Sequence, residues 1–135
     1  MTRSLTVLVV DDEELVGKRL AHVLSRMGCQ VEAFDEPRTA LSRIQEKEFN
    51  LVITDVIMGE VDGIQVLEKV RERWPQSKVI MITAYAMMSM ARKAMDLGAY
   101  DFIAKPFVPE EIRTVVTRAA RDLGFDLTEA GRQSE

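Results

Sequence analysis

The chain has 135 residues, within the usual range of one domain, and its 47% hydrophobic and 30% charged content excludes wholesale disorder. Acids outnumber bases 22 to 18, and the net charge of −4 argues against direct nucleic-acid binding. No apolar run approaches the roughly 18–20 residues of a membrane span, and the single Cys29 and single His22 exclude an internal disulfide and a zinc site. The first residues carry no export signal, so a cytoplasmic location is expected.

Leu5 to Val10 contains the unbroken run Val7-Leu8-Val9-Val10, as expected of a strand buried on both faces. Apolar positions then recur at Val16, Leu20, Val23, Leu24 and Met27, a helical stripe that Gly28 closes. His22 falls off that stripe and reads as a surface residue, whereas Cys29 reads as a small buried one. Gln30 to Phe34 is the second strand, and a helix starting near Pro37 carries Ala40, Leu41 and Ile44 inward. Leu51-Val52-Ile53-Thr54 is the third strand, ending at Asp55. Asp62-Gly63 opens a third helix that Trp74-Pro75 stops.

Lys78 to Ile82 is the fourth strand, ending at Thr83, and Met87 to Leu97 the fourth helix, capped by Gly98. Met87, Met88, Met90 and Met95 are expected to pack this helix on the sheet, with some left exposed because one helix face cannot bury them all. Tyr100 to Ala104 is the fifth strand, followed by Lys105-Pro106, where proline suggests a fixed turn, cis or trans, that aims the lysine. Pro109 to Leu123 is the last helix. Residues 124–135 are polar and aperiodic, a tail or linker stub after a domain of residues 1–123. Five strands each followed by a helix specify an α/β fold: a doubly wound, five-stranded parallel sheet in the order 2-1-3-4-5.

In such sheets, sites form beyond the carboxyl ends of the strands. Asp11 and Asp12, followed by Glu13 and Glu14, stand after the first strand, with Asp55, Thr83 and Lys105 after the third, fourth and fifth. Carboxylates within about 5 Å of one another repel by several kcal/mol and need a cation. All-oxygen ligands without His or Cys suit a hard ion, and a few carboxylates plus water suit Mg²⁺. Asp55 is then placed to attack an electrophilic phosphorus, while Lys105 offsets phosphoryl charge and Thr83 donates a hydrogen bond.

Val7-Leu8-Val9-Val10-Asp11-Asp12-Glu13, Asp55-Val56-Ile57-Met58 through Asp62-Gly63, Ile82-Thr83-Ala84 and Ala104-Lys105-Pro106-Phe107 together resemble the response regulator receiver domain (CheY-like) of two-component signal transduction, over Leu5 to about Leu123. The resemblance implies that Asp55 accepts the phosphoryl group. Asp11, Asp12, Asp55 and the Ile57 carbonyl then hold Mg²⁺, Thr83 and Phe102 are the switch pair, and Lys105 binds the phosphoryl oxygens. It implies a sensor histidine kinase or histidine phosphotransfer protein as donor, docked on the first helix and the Pro106-Phe107 loop. A downstream protein or output domain is the target, through the face of helix four, strand five and helix five, and a homodimer is compatible with that face. Such a chain is a signalling phosphoacceptor that assists only its own phosphorylation and dephosphorylation. Ile57 and Tyr85 should border the path of hydrolytic water and, being large, prolong the phosphorylated state. Gly59 stands where the family usually has proline, which is expected to loosen the loop after Asp55. The alternative is a haloacid-dehalogenase-like phosphatase, whose paired acids Asp11 and Glu13 imitate, but which leaves Asp55-Val56-Ile57 without a part.

Overall fold

The computed structural model describes residues 4–84 and 87–127. Tyr85 and the chain beyond Leu127 lie outside the described residues. Five parallel strands, β1 (Thr6–Val10), β2 (Gln30–Phe34), β3 (Leu51–Asp55), β4 (Lys78–Ala84) and β5 (Asp101–Lys105), alternate with helices α1 (Glu14–Arg26), α2 (Pro37–Glu46), α3 (Gly63–Arg73), α4 (Met88–Asp96) and α5 (Pro109–Asp122). The sheet order is β2-β1-β3-β4-β5, as the sequence predicts. β4 runs two residues past Ile82, and β5 is shifted one residue later, so that Lys105 is its last residue.

Alternation along the strands sends successive side chains to opposite faces and makes two cores. Val7 and Val9 of β1 join Leu51, Ile53, Ile80 and Ile82 beneath α1 and α5. Leu8 and Val10 join Val52, Val79 and Met81 beneath α2, α3 and α4. Phe125 packs on the first core and Leu127 is buried in it, so packing extends four residues past the boundary expected at Leu123. β2 is an edge strand, and its Glu32 receives both forks of Arg43 at 2.8 and 3.0 Å and Lys47 at 3.2 Å, charges that keep the edge from pairing with another chain.

The helix-four methionines match expectation in part: Met90 packs against the second core and Met95 is exposed, but none of the four is fully buried. The buried residues of α4 are Ala91 and Ala94, while Met87, Met88 and Met90 are half-buried and Met95 is exposed. The small alanines bring the helix backbone close to β4 and β5, and that close approach pushes the longer methionines to the flanks. His22 is exposed and Cys29 buried, as read from their spacing. Burial pushes the Cys29 thiol up to about 12, which keeps it protonated and unreactive. The sole tryptophan, Trp74, closes α3, where its indole N–H donates to the Ile44 carbonyl at 2.6 Å and Arg73 stacks on its ring.

Two glycines set the loop between β3 and α3. Gly59 adopts φ +68°, a left-handed turn that proline, fixed near −65°, does not enter. Glu60 beside it pairs with Arg38 of α2. Gly63, the first residue of α3, donates to the Val56 carbonyl at 2.7 Å. A Cβ at Gly63 would lie 2.1 Å from the Asp55 carbonyl oxygen and 2.9 Å from the Val56 Cα. Only glycine lets α3 dock this closely on the end of β3. Asp62 completes the start of the helix, accepting from the Gln65 amide at 2.9 Å while the Gln65 side chain accepts from the Asp62 amide at 2.9 Å. Gly63→Ala is expected to destabilise the fold by at least about 2–3 kcal/mol, as forced overpacking against rigid backbone does, measured by urea unfolding followed by circular dichroism.

Candidate functional site

The sheet register aligns the strand ends. Thr83 lies opposite Ala104, and Ala84 opposite Lys105, so the lysine leaves β5 directly above the end of β4. The Lys105–Pro106 peptide is cis. Asp11 follows β1, with its amide hydrogen-bonded to the Phe34 carbonyl at 3.1 Å, and Asp55 ends β3, the next strand in the sheet.

These placements converge on one ammonium. Lys105 Nζ lies 2.8 Å from Asp55 Oδ2, 2.9 Å from Glu13 Oε1 and 2.9 Å from Asp11 Oδ2. Hydrogen bonds form to Asp55 and Glu13, whereas Asp11 Oδ2 is close enough for ion pairing but out of line for a hydrogen bond. The other oxygen of Asp11 accepts the Glu13 amide at 2.8 Å, which fixes the carboxylate plane. Asp11 is 1% exposed and Asp55 8%, whereas Asp12 points outward beside them. Asp55 Oδ1 has only a long contact, 3.4 Å, from the Ile57 amide.

The electrostatics follow from this burial. Desolvation pushes the Asp11 carboxyl above its ordinary range, with Lys105 and the Glu13 amide only partly opposing it. Burial also disfavours charge on Lys105, but hydrogen bonds to Asp55 and Glu13 and the adjacent Asp11 carboxylate outweigh it and hold the ammonium above its ordinary value. The lysine is therefore charged throughout the physiological range. For Asp11 the sign is opposite: its raised folded-state value means that ionisation works against folding, so its unfavourable contribution grows as pH rises through that window.

Asp11, Asp12 and Asp55 each offer an oxygen, all within 4.8 Å of one another. One ammonium faces four carboxylates, counting Glu13, and Asp11 Oδ2 is buried without an aligned donor. A divalent cation fits that donor set, since it would offset the excess charge and satisfy the orphaned oxygen.

The remaining expected residues are near the same edge but do not join the lysine cluster. Thr83 is buried, and its hydroxyl donates to the Ala84 carbonyl at 3.2 Å. Phe102 is half-buried against the α2-α3-α4 core. Ile57 is 45% exposed. Sequence reasoning gave Glu13 a part only in the phosphatase alternative, whereas the structure places it on Lys105; the signal was the acidic run Asp11 to Glu14 leading into α1. Replacing Lys105 by methionine should destabilise the fold at neutral pH by about 3 kcal/mol, the low end for breaking a buried pair. That loss should shrink as pH falls and the carboxylates protonate, as thermal unfolding at several pH values would show.

The family model of the response regulator receiver domain matches residues 7–117. The regulatory protein AtoC of Escherichia coli is 34% identical over 88% of this chain and 26% of its own length. The response regulator protein FleR of Pseudomonas aeruginosa is 36% identical over 84% of this chain and 24% of its own. The chain thus spans about a quarter of the length of these curated relatives. Among solved structures, the beryllofluoride-activated NtrC4 receiver domain dimer superposes with a TM-score of 0.81 at 34% identity, covering 87% of this chain and 98% of that one. NtrX of Brucella abortus superposes with a TM-score of 0.84 at 30% identity, covering 90% of this chain and 28% of that one. With the fold, the acidic cluster at its strand ends and a family match over most of its length in agreement, this chain belongs to the receiver domains of two-component response regulators.

Proposed function

We propose that Asp55 is the phosphoryl acceptor of this receiver, taking its phosphoryl group from a sensor histidine kinase or histidine phosphotransfer protein in the cytoplasm. The observation that carries this reading is the contact of Lys105 with Asp55 and Asp11 inside a mostly buried carboxylate cluster. Lys105 anchors Asp55 Oδ2 and leaves Oδ1, with its one long contact, as the freer oxygen for attack on phosphorus. The same ammonium is placed to neutralise charge on the transferred group. Asp11, Asp12, Asp55 and the Ile57 carbonyl would hold Mg²⁺, which supplies charge stabilisation for the phosphoryl oxygens.

Thr83 and Phe102 are the proposed switch. The Thr83 hydroxyl rests on a neighbouring carbonyl, a partner it can exchange for a phosphoryl oxygen, and Phe102 lies half-buried as the second residue of β5. The α4-β5-α5 face, with its marginal methionines, is the surface that would report the change to a downstream target, to an output domain, or to a second copy. The NtrC4 receiver, a dimer in its activated form, supports the last of these. A groove between α1 and the segment after β5, lined by Leu15, Val23, Phe107 and Val108 with Lys18 and His22 on its rim, suits the phosphodonor's docking. The phosphatase alternative has no observation in its favour.

Asp55→Asn keeps the size of the side chain and removes its nucleophilic charge. Incubation with acetyl phosphate and Mg²⁺ should add one phosphoryl group to the wild-type chain, mapped by mass spectrometry to Asp55, and none to the variant; equal labelling of both excludes Asp55. Asp12→Ala should weaken Mg²⁺ binding about tenfold or more by calorimetry. Because Asp11 titrates above the ordinary carboxylate range, wild-type Mg²⁺ affinity should already decline at a pH where exposed carboxylates remain ionised.

A further inference from the structure

We infer that Glu13 is a positioning residue that occupies one donor of Lys105 at rest and is exchanged for a phosphoryl oxygen, so that it disfavours free anionic phosphodonors. This rests on the reading of Asp55 as acceptor. Glu13 is the residue at the start of α1 where Ser, Thr, Asp or Asn would ordinarily cap the helix. Its side chain makes no capping hydrogen bond and turns instead to Lys105, 92 residues away in sequence, at 2.9 Å. The backbone is held for that purpose, since the Glu13 amide donates to Asp11 Oδ1.

The three partners of Lys105 differ in how easily they can leave. Asp11 and Asp55 are buried on short side chains at strand ends, with side-chain exposures of 1% and 11%. Glu13 is 63% exposed on a longer chain, so water can replace the lysine around its carboxylate. An ammonium has three donors: Asp55 and Glu13 accept hydrogen bonds from two of them, and Asp11 Oδ2 crowds the ammonium at ion-pair distance without an aligned bond. A phosphoryl group arriving on Asp55 brings oxygens that need one of those donors, and Glu13 is the partner that can yield it. Until it does, its negative charge stands beside the path of an incoming anion.

The transfer itself balances without further reagents. An Asp55 carboxylate oxygen bonds to phosphorus as the bond from phosphorus to the acetate oxygen of acetyl phosphate breaks, and acetate leaves as the anion. Acetyl phosphate is a dianion near neutral pH, whereas phosphoramidate carries an ammonium that offsets part of its charge and leaves as ammonia. Removing the Glu13 charge should therefore help the first donor more than the second.

The test compares wild type, Glu13→Gln and Glu14→Gln, each with Mg²⁺ and either donor. Glu14 makes an exposed pair with Lys18 and serves as the control for lost surface charge. Glu13→Gln should accept from acetyl phosphate about 16-fold faster, the effect of removing one unit charge roughly 5 Å from a dianion in a water-like medium, and only about fourfold faster from phosphoramidate, whose net charge is −1. Raising ionic strength should narrow that gain. Without metal, the ¹H–¹⁵N signal of the Lys105 ammonium, protected by three carboxylates in the wild type, should weaken in Glu13→Gln. Equal or slower labelling of Glu13→Gln at Asp55 with acetyl phosphate, or the same gain in Glu14→Gln, overturns the assignment while leaving Asp55 as acceptor. Absence of labelling in all three chains overturns the acceptor reading itself.

Discussion

One ammonium among carboxylates organises this molecule. Asp11 and Asp55 are nearly closed to solvent and lie on adjacent strands, and like charges so placed repel unless a cation stands between them. Lys105 is that cation, and it reaches the cluster only because β5 ends at the same edge as β1 and β3. The resting site is therefore incompletely compensated by design of its charges: one positive group holds the carboxylates together, and their remaining charge is what gives a divalent ion and a phosphoryl group a reason to bind.

The fold contributes a rigid frame for this balance. Two separate cores clamp the sheet from both faces, which fixes the strand ends relative to one another. Gly63 lets α3 approach the main chain of Asp55 and Val56, so the acceptor's backbone is braced from beneath while its side chain stays at the surface of the edge. The elements around that frame are less tightly held. α4 is anchored by two alanines rather than by large side chains, and an element with little buried apolar area is the kind that can shift at modest cost.

Much of this was legible in the sequence for identifiable reasons. Unbroken apolar runs such as Val7 to Val10 and Leu51 to Ile53 have no other reading in a chain of alternating strand and helix patterns, and they place Asp11 and Asp55 at strand ends without ambiguity. The helix-four methionines read correctly as divided between packing and exposure, but not in depth, because small residues set the helix-to-sheet distance; Ala91 and Ala94 were the informative letters. The left-handed turn at Gly59 was not legible, because composition does not reveal dihedral angles. Glu13 was visible as a charge but not as a partner, since its contact with Lys105 is between residues far apart in the chain and depends on a side-chain direction that local pattern does not carry.

The position of Trp74 decides what light can report about this protein. The helix it closes starts beside Asp55 and runs back along the sheet, and eleven residues at 1.5 Å each carry the indole about 16 Å from the acceptor's edge. There it is pinned to the Ile44 carbonyl and flanked by Arg73, surroundings shared with α2 and not with the metal ligands. As the chain's sole indole, it gives an emission tuned to the α2-α3 seam. Ion binding at the carboxylates would leave that emission dark to the event, while any unlocking of the seam would shift it at once.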